Sequence, residues 1–113
     1  MEWHVAKEAT LHQWRQLKSS VDRLDAVHLL IGINAVNDLC EKAMQEAHGE
    51  MNRCNYCIAF HQFGGCMGVS LRMSEAAVDG DKDRLKEMMD GFIAQLEGLE
   101  TTNAVNGSPS GGA

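Results

Sequence analysis

The sequence predicts an all-α fold, a small helical bundle that self-associates, and three observations predict it. The chain's one proline, Pro109, lies in the tail. β-Branched residues show no sustained alternation, while the helix formers Ala, Leu, Glu, Lys, Gln and Met dominate. Apolar residues recur every three or four positions over long stretches, the spacing that lines one helix face.

The elements follow in order. Trp3, Ala6, Leu11, Trp14, Leu17, Val21 and Leu24 mark a first helix. Trp3 and Trp14 share a face and serve to anchor this helix or a subunit contact. Ser19-Ser20 either breaks this run or sits on its wet side, and Ser20 with Asp22 offers a new helix start. A second helical stretch runs from about Val21 to Ala47, with a bend near Gly32-Ile33-Asn34. It is apolar nearly all round, which predicts a central, well-covered element. Gly49 is its stop. Asn52 then caps a helix that carries Cys54, Cys57 and His61, and Gly64-Gly65 and Gly68 end or loosen it. Ser70 or Ser74 starts a short helix through Val78, which stops at Asp79-Gly80-Asp81. A last helix spans Asp81 to Leu99, with Leu85, Met88, Met89, Phe92, Ile93, Leu96 and Leu99 on its apolar side. Residues 1–100 form one domain. Residues 101–113 are small, polar and Gly-rich, and are expected to be a disordered tail.

Charge narrows the function. Sixteen acidic residues against ten basic ones give a net charge of −6. No basic stripe is present to neutralise phosphates, so nucleic acid is excluded as a partner, and an anionic membrane surface is disfavoured. The longest apolar stretch, Ala26 to Val36, is interrupted by His28, Gly32 and Asn34 and covers about half the length of a membrane span. The amino terminus has neither a basic start nor an apolar signal core. These features read as cytoplasmic. In that reducing setting, four cysteines point to redox work or metal binding rather than to structural bridges.

Cys54-Asn55-Tyr56-Cys57, with His61 four residues further on, carries the chemistry. On a helix opened by Asn52, Cys54 lies in the first turn and Cys57 one turn in, where free amides and the positive end of the dipole favour a thiolate. His61, a turn beyond Cys57, can accept the thiol proton. Glu41, Glu46 and Glu50 are candidate carboxylates for a proton relay from the preceding helix. Cys40 and Cys66 read most simply as buried thiols. The six methionines between Met44 and Met89 read as fillers of a helical core. The rival reading is a zinc site. Cys54, Cys57, His61 and Cys66 form C-x2-C-x3-H-x4-C, one residue short of the retroviral zinc-knuckle spacing.

The segment Asn52-Arg53-Cys54-Asn55-Tyr56-Cys57-Ile58-Ala59-Phe60-His61 resembles the N-x-C-x-Y-C-x-x-x-H signature of the alkylhydroperoxidase D-like group within the carboxymuconolactone decarboxylase superfamily. The likeness continues through Gly68-Val69-Ser70, Ser74-Glu75-Ala76-Ala77 and Gly80-Asp81, about thirty residues from Asn52 to Asp81. It implies an all-helical, oligomeric protein that reduces peroxides without a cofactor, with Cys57 peroxidatic, Cys54 resolving and His61 assisting proton transfer. A thiol reductant protein would then restore the dithiol. Two departures stand out. Lys42 occupies the place of the family's glutamate, with Glu41 one step away, and the spacing from His61 to Gly68 is one residue short.

A weaker likeness belongs to Leu11-His12-Gln13-Trp14, which resembles the opening of bacterial chemoreceptor zinc-binding domains. It implies a zinc set drawn from His12, His48, His61 and Cys40 or Cys54, without the paired-His motif of those domains. Three functions therefore stand at this point. They are a dithiol redox protein acting on a small peroxide or a partner disulfide, a zinc-binding sensor or structural module, and a helical interaction protein without chemistry.

Overall fold

The computed structural model describes residues 1–49 and 53–102, and every described element is helical. Helix α1 spans Trp3–Ser19 and buries Trp3, Ala6, Leu11 and Trp14. Trp14 meets Phe92 edge to face with ring centroids 5.1 Å apart, and the Lys42 ammonium stands over the Trp3 ring. The two tryptophans do anchor the first helix. Thr10 is fully buried, and its hydroxyl accepts the Leu39 amide at 3.2 Å, tying α1 to the next layer. After Ser20 the chain tightens into a 3-10 turn, Val21–Arg23, with Val21 in the core.

The predicted single stretch from Val21 to Ala47 is two helices, α2 (Ala26–Ile33) and α3 (Asp38–Ala47). Local hydrogen bonding decides this against apolar continuity. Asp25 opens α2 by accepting the His28 amide at 2.9 Å, and Asn37 opens α3 by accepting the Cys40 amide at 2.9 Å. The predicted bend at Gly32-Ile33-Asn34 is thus a helix end. Nor is α2 central. Val27 and Ile31 are 62% and 63% exposed, and only Leu29 and Ile33 are buried. One side of α2 lies on α1 and α5. The approach to α1 is close enough that a Cβ on Gly32 would lie 2.7 Å from Leu17 Cδ1. Helix α3 stops as expected, through left-handed His48 and Gly49.

Helices α4 (Ile58–Phe63), α5 (Met67–Asp79) and α6 (Lys82–Glu97) follow. Helix α5 starts earlier than Ser70 or Ser74, directly after Cys66, and takes Gly68 into its first turn. Gly80, in the left-handed region at φ 73°, ends α5, and the Asp81 carboxylate accepts the Arg84 amide to open α6. The apolar side of α6 is as predicted: Leu85, Met89, Phe92, Ile93 and Leu96 are buried, as is Leu99 beyond its end. Side chains as fully enclosed as Leu85, Met89 and Leu96 stabilise the fold by about 1.5–3 kcal/mol each. Packing of α6 on α1 and α5 joins these residues into one core that runs from Trp3 to Leu99. No described helix is long and apolar enough to cross a membrane. The predicted tail lies outside the described residues beyond Thr102.

Candidate functional site: a cluster of four thiols

All four cysteines line one cavity of about 30 Å³ beneath Arg53, and all four are free thiols. Each arrives by a distinct local device. Cys40 sits in the first turn of α3, where the Asn37 side chain holds its amide. Cys54 lies in a 3-10 turn, Arg53–Tyr56, closed by the Cys57 amide donating to the Cys54 carbonyl at 3.1 Å. Cys57 is the residue before α4 and Cys66 the residue before α5. Three helices therefore begin at the cavity.

Between Cys57 and Cys66 the chain reverses through Gly64 and Gly65, at φ 90° and 71°. A side chain at Gly65 would combine this left-handed backbone with a Cβ 3.3 Å from Phe60 Cα. Helix α4 is fastened from its other side. Phe63 packs edge to face on Phe92, and Gln62 exchanges two hydrogen bonds with the Glu100 backbone, at 2.7 and 2.8 Å.

The thiols are electrostatically unequal. The neighbouring Cys66 thiol draws Cys40 down to about 6 in spite of its burial; the Asn37 backbone and the Arg53 guanidinium add to the effect. Cys66 is pushed up by its interaction with Cys40 and by burial, so the pair shares one proton. Burial also pushes Cys57 up, with the Phe60 and Ala59 amides opposing and the charges of Cys40 and Cys54 reinforcing it.

The predicted helix running from Cys54 through His61 is not continuous. Cys54 is in the 3-10 turn, Cys57 caps α4, and only His61 is helical. His61 is exposed, and its Nε2–H donates to the Asn55 carbonyl rather than to a thiol. Glu46 pairs with Lys42 at 3.1 Å, Glu41 is exposed, and neither lines the cavity. Glu50 and the proposed cap Asn52 lie outside the described residues. Tyr56 packs half-buried against the core. His12 and His48 are exposed. Among the described residues no group of three or more His, Cys, Asp or Glu side chains stands ready-gathered to hold a metal ion.

Cys40 and Cys66, read from the sequence as simple buried thiols, are instead half-buried members of the cluster. A signal for Cys40 was present in Asn37-Asp38-Leu39-Cys40, an N-cap followed by a first-turn thiol. The contact with Cys66 is tertiary and has no local signature. The chain matches no protein-family model, no curated protein and no solved structure.

Proposed function

We propose that this protein is a dithiol redox protein that reduces a small hydroperoxide, with Cys40 as the attacking sulfur and Cys66 as the resolving one. The observation that supports this reading is that Cys40, Cys66 and Arg53 line one small cavity, where the neighbouring Cys66 thiol lowers the Cys40 pKa. The Cys40 thiolate attacks the near oxygen of the hydroperoxide, the O–O bond breaks, and the departing alkoxide leaves as the alcohol after taking a proton. Cys40 is then a sulfenic acid. The Cys66 sulfur displaces its hydroxyl as water, which closes a Cys40–Cys66 disulfide. Arg53 is placed to hold the negative charge that develops on the departing oxygen. A small and mainly apolar cavity favours a small oxidant over a protein disulfide.

Cys54 and Cys57 line the same cavity as a second dithiol, able to take over the disulfide by exchange. Burial, which keeps Cys57 protonated, favours Cys40 over it as the attacking group. A thiol reductant in a cytoplasmic setting returns the two electrons. The outward side chains of the α2–α5 pair, Val27, Ile31, Leu71 and Val78, support self-association.

The test is reduced protein treated anaerobically with one equivalent of hydrogen peroxide. Two thiols per chain are lost, and peptide mapping finds Cys40 joined to Cys66. Cys40→Ser abolishes the reaction and Cys57→Ser retains it. A Cys40→Ser protein that oxidises as fast as its parent overturns the proposal.

A further inference from the structure

We propose that Cys40, Cys54, Cys57 and Cys66 together bind one soft divalent cation of the zinc class, as a four-thiolate site. The inference shares the thiol cluster of the redox reading but none of its chemistry. Every cysteine of the chain, spaced Cys40-x13-Cys54-x2-Cys57-x8-Cys66, faces a single cavity. The 3-10 turn closed by the Cys57 amide on the Cys54 carbonyl brings both cysteines to the cavity wall, and such C-x2-C pairs supply half of a tetrahedral thiolate site. The Gly64-Gly65 reversal returns Cys66 to that pair, and the first turn of α3 brings Cys40 from the other side.

Size and donor chemistry then choose the occupant. A cavity of about 30 Å³ admits a single ion and is too small for a four-iron cluster. Sulfur donors select zinc over magnesium or calcium. Four thiolates around a divalent ion carry a net charge of −2, which the Arg53 guanidinium beside Cys40 partly offsets. The free thiols are not gathered at ligand distance. Moving a cysteine between staggered rotamers carries its sulfur by roughly 3 Å, and the proposed site closes to about 2.3 Å sulfur–zinc bonds through such rotations. Binding releases the remaining thiol protons to solvent. His61 stays outside the set, since it is exposed and does not line the cavity. The ion and the disulfide require the same sulfurs, so occupancy protects the cluster from peroxide.

The experiment is titration of reduced, chelator-stripped protein with Co²⁺ under anaerobic conditions, followed by displacement with Zn²⁺. One Co²⁺ per chain is expected, with the charge-transfer and d–d bands of tetrahedral thiolate coordination. Cys40→Ser and Cys66→Ser each weaken binding tenfold or more, while His61→Ala leaves it unchanged. Absence of the thiolate bands, a Cys40→Ser affinity equal to the parent's, or an equal loss in His61→Ala overturns the proposal. X-ray absorption at the zinc edge of the unaltered protein guards against variants that fail to fold: four sulfurs support the site, and fewer overturn it. Peroxide treatment of the metal-free protein tests the redox reading separately, so either can fail alone.

Discussion

Three helix starts in this molecule carry a cysteine, and two of them, those of α3 and α4, treat it in opposite ways. At the start of α3, Cys40 has its amide held by Asn37, a guanidinium beside it and a neighbouring thiol that lowers its pKa. At the start of the six-residue α4, Cys57 makes no side-chain cap hydrogen bond, and burial pushes its thiol up. The first sulfur is drawn into the thiolate form and the second is kept out of it. A helix amino terminus supplies a modest favourable field. Desolvation overcomes that field unless a charge or a committed donor adds to it.

The harshest way to break the comparison is to remove the floor both thiols share. Leu96 is fully buried and lines the cavity, and Leu96→Ala is expected to cost about 2–5 kcal/mol of stability, read from urea unfolding. Next in size is the contrast itself. At pH 7 iodoacetamide should modify Cys40 more than about a hundredfold faster than Cys57, as judged by peptide mapping. A thiol reacts only once deprotonated. The Cys40 rate should therefore rise with pH through about 6 and level off, while the Cys57 rate keeps climbing beyond pH 9.

Smaller changes sharpen the assignment. Arg53→Gln removes the cation and should move the Cys40 midpoint upward by a small amount, leaving Cys57 where it was. Asn37→Ala removes the α3 cap and should cost about 1–2 kcal/mol. The smallest effect belongs to His61→Ala, which should leave the alkylation profile of Cys40 unaltered. A downward or upward shift there would mean that the imidazole reaches the cluster.

The all-helical fold was readable because helix propensity, the lone tail proline and three-to-four spacing agreed. Agreement was strongest in α6, where a capped start at Asp81 precedes one continuous apolar stripe. The junction between α2 and α3 was not readable from hydropathy, since the run from Ala26 to Val36 conceals a helix end. Only the Asn37 side chain, bonding to the Cys40 amide, marks the new beginning. The motif around Cys54 and Cys57 was visible, but its backbone was misassigned. A tight turn occupies the place of the expected helix, and it turns His61 toward a carbonyl. The partnership of Cys40 with Cys66 joins residues twenty-six positions apart in sequence, and only folding brings them together.

The convergence of three helix beginnings on one group of sulfurs also bears on electron affinity. Each beginning presents positive partial charge to the cavity, and negative sulfur is its natural complement. Reduced, ionised Cys40 gains from that arrangement, whereas a neutral disulfide does not. Any disulfide closed through Cys40 would consequently sit toward the oxidising end of the biological range and would readily surrender its bond to an incoming thiol.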